Sequence, residues 1–291
     1  MKLATFTEGG STRIGVVVGE EITDLAAAAP GLPRDMVALL EAGEAALDAA
    51  RAAADGGGSR LPLTSVKLEA PILRPPKFIG IGLNYKDHIE ETGSKTPEYP
   101  MIFNKQTTCV TGPGDPVHLP RASHVLDYEG ELGLVIGRRC RHVPKERANE
   151  VIAGYTIVND VSVRDWQLRV PTMTIGKSFD THGPMGPWLV TKDEVSDPHS
   201  LHLQTFVNDE KRQDSNTKEL LFNCFDLIEH LSTAFTLEPG DVIATGTSSG
   251  VGIGFRPPKL LVAGDVVRIE IEGIGVLQNE IIEEPESTTL I

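Results

Sequence analysis

Cysteine is scarce. Cys109, Cys140 and Cys224 are the only three in 291 residues, too few and too scattered for a disulfide framework or a thiolate metal site. Long apolar runs are missing as well. No stretch approaches the roughly 18 residues of a membrane-spanning helix, and the opening segment MKLATFTEGG lacks the apolar centre of a signal peptide. A reducing, cytoplasmic setting is the expectation. Basic charge is in short supply too: 27 Lys and Arg stand against 41 Asp and Glu, a net charge of −14. That sign works against a nucleic-acid binder, which needs a basic face for phosphates. An anionic substrate stays possible, because a bound cation inverts the local field. With 40% hydrophobic and 23% charged residues, the remainder is an ordinary globular mixture.

Organisation changes near residue 70. The run from Leu3 through Thr5 and Thr7 alternates as a strand does, Gly9-Gly10 marks a turn, and Ile14 to Val18 reads as a second strand. Residues 36–54 are rich in Ala, Leu and Glu at helical spacing and run into Gly56-Gly57-Gly58-Ser59. Residues 1–70 therefore read as a small N-terminal α+β domain, and 71–291 as a second one. In the second, short β-rich runs recur at 78–83, 132–136, 155–159, 188–190, 201–207, 242–244, 260–261 and 266–271, with Gly, Pro, Asn and Asp between them. Residues 145–151 and 222–235 have the pattern of longer helices. Many strands and few helices point to a mixed α/β but predominantly β fold, a sandwich or barrel of about 220 residues, because alternating βαβ units need far more helix.

Three acidic residues stand where strands begin or end. Glu129 and Glu131 are two apart in a strand-like run, so they share a face at roughly 6–7 Å. The apolar stretch after them draws both into the interior, where carboxylates need a cation or protons. Asp160 closes the run from Tyr155 to Asn159. Three carboxylates without nearby thiols or paired imidazoles suit a hard, oxygen-preferring ion, Mg²⁺ or Mn²⁺. Lys177 lies among small residues and could balance the remaining charge. A second group lies on a predicted one- or two-turn helix with Asn84 as N-cap and Gly93 as stop. There His88 and Glu91 are three residues apart, hence on one face. A carboxylate beside an imidazole fixes its tautomer and raises its basicity, as a general base acting on water requires. Solvated acids and an exposed His–Glu pair would look the same one segment at a time, so a cation-binding interaction scaffold is the non-enzymatic alternative.

Two apparent motifs fail. Gly246-Thr247-Ser248-Ser249-Gly250 fits a serine-hydrolase elbow, but no helix can start before Pro257-Pro258, and the last histidine, His230, precedes the serine. Gly176-Lys177-Ser178 echoes a phosphate loop, yet Pro171 stands where its first glycine belongs.

The segments Gly82-Leu83-Asn84-Tyr85, Tyr128-Glu129-Gly130-Glu131-Leu132, Asn159-Asp160-Val161-Ser162-Val163-Arg164-Asp165, Gly176-Lys177-Ser178-Phe179-Asp180 and the run from Pro239 to Thr247, taken in order, resemble the fumarylacetoacetate hydrolase family. The resemblance covers residue 77 to about 280. It implies a β-sandwich roll catalytic domain, usually in a homodimer. It places the metal ligands on Glu129, Glu131 and Asp160, and the catalytic dyad on His88 and Glu91. It assigns Lys177 to support of the metal site and of a substrate oxyanion, and puts Tyr85, Gln167 and Thr247 at positions that touch substrate. The segment around His88 is a mobile lid in many relatives. Leu83, where some relatives carry arginine, and Ser248-Ser249, where proline often follows the threonine, are departures. The implied activity is Mg²⁺- or Mn²⁺-dependent cleavage of a C–C bond in a 2,4-diketo acid of acylpyruvate or fumarylpyruvate type. Decarboxylation of oxaloacetate, or isomerase or hydratase chemistry, is the alternative on the same cradle.

Overall fold

The N-terminal hairpin forms where the sequence predicts it. In the computed structural model, which describes residues 1–290, strands Lys2–Glu8 and Ser11–Val18 pair antiparallel from Glu8↔Ser11 outward. Gly9 and Gly10 make the two-residue turn with φ of 56° and 77°, the left-handed pair such a hairpin demands. Strands Glu21–Asp24 and Arg60–Pro62 extend the sheet. Residues 36–54 form two helices, Met36–Glu41 and Glu44–Asp55, which part at Gly43.

The sheet does not stop at residue 70. Leu3 pairs with Leu189 of the strand Gly183–Thr191, and from there the hydrogen-bonded order runs through Ile152–Asn159, Gly130–Ile136, Val242–Thr247, Phe78–Gly82 and Met101–Lys105. With two side branches this makes a twelve-stranded sheet. One core joins this part of the sheet to the two helices, with Leu3, Leu39, Met185 and Leu189 in a single buried cluster. The strands 2–8 and 183–191 thus share a ladder and a core across the expected boundary.

A second sheet of five strands contains Glu210–Asn216, His202–Val207, Val266–Ile271, Gly275–Glu283 and Val117–Leu119. Leu203, Ile269 and Leu277 from it join Leu132, Leu134 and Ile157 of the large sheet in one buried cluster, which makes the predominantly β sandwich anticipated. The helix Cys224–Ala234 covers one end of this core. Its capping box, Asn223 with Asp226, satisfies the first-turn amides.

Three local expectations need correction. Residues 145–151 predict a helix, but Lys145–Glu150 is a 3₁₀ segment after Pro144 and packs through Ala148 into the core. Leu260-Leu261 contributes only a bridge from Leu261 to Leu126. Asn84 is not the cap of the helix Lys86–Thr92; Tyr85 holds that position. The Asn84 amide instead donates to the carbonyls of Phe222 at 2.9 Å and Thr245 at 2.7 Å and accepts from the Phe222 amide at 2.9 Å. It therefore ties three segments together. Gly93 stops the helix as expected, with φ of 63°.

Candidate active site

Two antiparallel neighbours place the three acids. Gly130 pairs with Asn159, so the residue before one strand and the residue after the other meet. The Asp160 amide donates to the Glu129 carbonyl at 2.9 Å, and the Asn159 side-chain oxygen accepts from the Glu129 amide at 3.1 Å. Glu129 stands just outside the strand Gly130–Ile136, while Glu131 is inside it, beside Thr247 of the next strand. Each of Glu129, Glu131 and Asp160 offers an oxygen within 4.8 Å of the other two, and all three residues are buried.

Buried cations hold two of the three. Lys177 Nζ donates to Glu129 Oε2 at 2.6 Å and to Asp160 Oδ2 at 2.8 Å. Lys105 Nζ donates to Asp160 Oδ1 at 2.6 Å, and also to the carbonyls of His182 and Lys177. Arg164 binds Glu129 Oε1 at 2.6 Å and, through two nitrogens, Asp127 Oδ2. Burial would raise the Glu129 carboxyl, but Lys177 and Arg164 outweigh it and hold the group well below its usual range. Burial likewise opposes the charge on Lys177, and Asp160 with Glu129 overcomes it.

Glu131 is the exception. It is 1% exposed, and the Gly246 amide at 2.7 Å is its hydrogen-bond donor. Burial, then repulsion from Asp160 and Glu129, drives its carboxyl well above the ordinary range. Beside it the Tyr85 hydroxyl is fully buried with no hydrogen-bond partner. Asp127, Glu129, Glu131 and Asp160 against Lys105, Lys177 and Arg164 leave one negative charge unmatched. An orphaned phenol and an uncompensated carboxylate in an all-oxygen donor set fit a hard divalent cation.

The dyad faces this cluster. His88 and Glu91 lie on the buried side of Lys86–Thr92, with Nδ1 and Oε2 3.0 Å apart. A charged His88 ring would reach the Glu129 carboxylate electrostatically. Asp87 fixes the helix by accepting from Ser215 Oγ at 2.7 Å and the Ser249 amide at 3.3 Å. Glu91 Oε1 accepts from the Gly250 amide at 2.8 Å. The end of the strand Val242–Thr247 and the loop after it therefore serve both halves of the site, Glu131 through Gly246 and Glu91 through Gly250. Gly246 has φ of 109°, and a β-carbon there would stand 2.8 Å from that of Asn84, so only glycine brings its amide to Glu131.

The remaining sequence candidates are near by. Gln167 ends the short helix Arg164–Gln167 and accepts from Arg164 Nη1 at 2.9 Å. The Thr247 hydroxyl is engaged on both sides, donating to the Gly130 carbonyl at 3.1 Å and accepting from Gln213 at 2.8 Å. Sequence reasoning did not assign Lys105, Arg164 or Asp127. Lys105 is 3% exposed at the end of a strand whose buried face it shares with Phe103, and a lysine on an apolar strand face was the available signal.

Residues 77–282 match the family profile described as Fumarylacetoacetate (FAA) hydrolase C-terminal. The chain belongs to this family. It is 43% identical over 288 residues to the mitochondrial oxaloacetate tautomerase of Xenopus laevis, an alignment covering 97% of this chain and 90% of the relative. Among solved structures it is similar to maleylpyruvate hydrolase from Sphingobium sp. SYK-6, described in complex with manganese(II) ion and pyruvate. That similarity has a TM-score of 0.83 and 36% identity, and covers 98% of this chain and 100% of the other. It is similar also to 2-hydroxyhepta-2,4-diene-1,7-dioate isomerase from Mycobacterium marinum, with a TM-score of 0.78, 32% identity and the same coverage. Members of this family are enzymes of hydrolase, isomerase and tautomerase type.

Proposed function

We propose that this enzyme hydrolyses a C–C bond in a 2,4-dioxo acid of acylpyruvate type, with Mg²⁺ or Mn²⁺ held by Glu129, Glu131 and Asp160. The observation that carries the reading is the His88–Glu91 contact at 3.0 Å beside a triad of buried carboxylates. The cation would supply a chelation point for adjacent substrate oxygens and polarise a carbonyl. Glu91, fixed by Gly250, keeps the proton of His88 on Nδ1 and leaves Nε2 to accept one from water. The hydroxide oxygen bonds to the distal carbonyl carbon, the bond from that carbon to the next breaks, and its electron pair stays on the pyruvate half as an enolate. Lys177 uses two ammonium hydrogens on Glu129 and Asp160, and its third is left for the enolate oxygen. His88 then returns the proton to carbon, giving pyruvate and a carboxylic acid. Tyr85 and Gln167 flank the cradle, and Thr247, through Gly130, shapes its floor.

A second reading is tautomerisation of a short 2-oxo diacid, favoured by the 43% identity to an oxaloacetate tautomerase. Here the same imidazole moves a proton between carbon and oxygen, and no bond to carbon is hydrolysed. The deciding assay offers a panel of acylpyruvates, fumarylpyruvate and oxaloacetate with Mn²⁺ or with chelator. It follows pyruvate release and enol absorbance separately. Metal-dependent pyruvate release from an acylpyruvate is expected. Enol turnover of oxaloacetate with no pyruvate from any acylpyruvate would replace the first reading by the second.

A further inference from the structure

One side of the cradle is closed by an arc of contacts the proposed chemistry does not use. From Glu129 it runs to Arg164 Nη1 at 2.6 Å, then to Gln167 Oε1 at 2.9 Å. Gln167 Nε2 next approaches the Met173 sulfur at 3.6 Å. A β-carbon on Gly82 would stand 3.7 Å from the Met173 methyl and 3.3 Å from the Met101 sulfur. The arc closes through Ile81, whose carbonyl lies 3.2 Å from where Gly246 would carry a β-carbon, and Gly246 donates to Glu131. The wall between the two glutamates is thus two thioethers, a glycine and one amide. Leu83 and Met173 take φ of 51° and 58°, a left-handed conformation that long side chains hold only where their surroundings impose it.

Beyond Arg164 this arc has no charged side chain between the two glutamates, and the cations on and around it are committed. Arg164 is held by Asp127 and Glu129. Arg169 lies 3.8 Å over the Trp166 ring and 3.5 Å from Asp165. Lys86 precedes His88 by two residues, about 200° round the helix and so on the opposite face. Leu168, next to Gln167, and Ile175, two residues past Met173, are more than half exposed. A carboxylate brought here would lose its water and find no partner. An alkyl or aryl group would gain the polarisable contacts that methionine offers to varied shapes.

We propose that the arc of Gly82, Met101, Met173 and Gln167 is the subsite for the substrate's acyl tail, and that it selects an uncharged apolar tail over one ending in carboxylate. The inference rests on the metal-chelating reading above and specifies its substrate class.

Oxamate, N-propyl oxamate and N-(2-carboxyethyl) oxamate share one chelating head and differ only in the tail. Each is titrated calorimetrically into the protein with Mn²⁺ present, so binding is read without turnover. A fully buried methylene is worth about fourfold in affinity. N-propyl oxamate should therefore bind at least about tenfold tighter than oxamate and than the carboxyethyl compound. Met173→Lys should reverse the order of the two tailed compounds. Met101→Lys is the second variant should the first fail to fold. Equal affinities in the native protein, or a preference for carboxyethyl, overturn the tail assignment and leave the chelating site standing, because oxamate itself still binds. A folded lysine variant with an unchanged order overturns the location of the subsite. No binding of oxamate with Mn²⁺ overturns the chelating reading and this inference together.

Discussion

Replacing Glu131 by Gln separates the cost of the cradle from its use. In the cation-free protein Glu131 is a buried carboxylate with one amide donor and no side-chain cation, and its carboxyl is raised well above the normal range by burial and by Asp160 and Glu129. A group raised on folding contributes stability below its unfolded-state value and loses it as pH climbs through the folded value. The native protein should therefore become less stable relative to Glu131→Gln as pH rises, whereas near pH 4 the two should agree. Glutamine keeps an oxygen for the Gly246 amide and adds no charge. With Mn²⁺ at 100 times its dissociation constant, the native protein should gain about 2.7 kcal/mol. At about 2.1 cal/mol/K of unfolding entropy per residue, 291 residues convert that gain to a Tm rise of about 4–5 °C. The variant should gain little, having lost one of three anionic ligands. Scanning calorimetry at pH 5.5 and 8, with EDTA and with Mn²⁺, reads both effects. An equal Mn²⁺ shift in the variant would remove Glu131 from the ligand set. A variant less stable than the native protein at pH 8 in EDTA would refute the claim that this carboxylate is uncompensated.

His88→Gln and Glu91→Gln should each lower turnover by about 100- to 1000-fold and leave the Mn²⁺-dependent rise in Tm intact; an unchanged rate would end the base assignment. Lys105→Met strips Asp160 of an ammonium at 2.6 Å and leaves the His182 carbonyl without its donor. It should cost about 3–5 kcal/mol in urea unfolding, and a loss below about 1 kcal/mol would show that the buried pair contributes little. Deleting residues 1–70 exposes the ladder edge of Gly183–Thr191 and the apolar face around Met185 and Leu189. The truncated chain should be insoluble or oligomeric by size-exclusion chromatography; a soluble monomer would show that the shared sheet is dispensable.

The sequence reveals what depends on local pattern and hides what depends on long-range encounter. Alternation and glycine placed the strand Val266–Ile271 at its observed bounds and the first hairpin's turn at Gly9-Gly10, although its second strand begins at Ser11 rather than Ile14. Strand-end acids placed Glu129, Glu131 and Asp160 together, because antiparallel pairing of Gly130 with Asn159 is a consequence of two consecutive core strands. Asn84 looked like a cap because caps and tertiary clamps use the same short amide; what decides between them is the distance to Phe222 and Thr245, which no local window contains. The three buried cation partners show the same limit. Lys177 stood out among glycine and serine and Lys105 stands on an apolar strand face, whereas Arg164 resembles a surface residue until the strands bring Glu129 to it. The continuation of the sheet through Leu3 and Leu189 joins positions 186 residues apart and leaves no mark in either segment.

The supports of the two halves of the site differ in kind, and that difference determines which half can open. The carboxylates stand at or within strands whose residues are buried throughout, Glu129 and Asp160 locked by ion pairs with Lys105, Lys177 and Arg164 and Glu131 held by the Gly246 amide. Moving them breaks the central ladder and uncovers charge, so that half opens only with global unfolding. The dyad stands on a seven-residue helix too short to be stable alone. Asp87 holds it to Ser215 and Ser249, and Glu91 holds it to Gly250. Releasing it breaks those few bonds and exposes little beyond His88 and Ile89. Of the two halves, the helix Lys86–Thr92 is therefore the one that can move without unfolding the sheet. Under the proposed function, its return would set His88 against the bound substrate and close the site to bulk water.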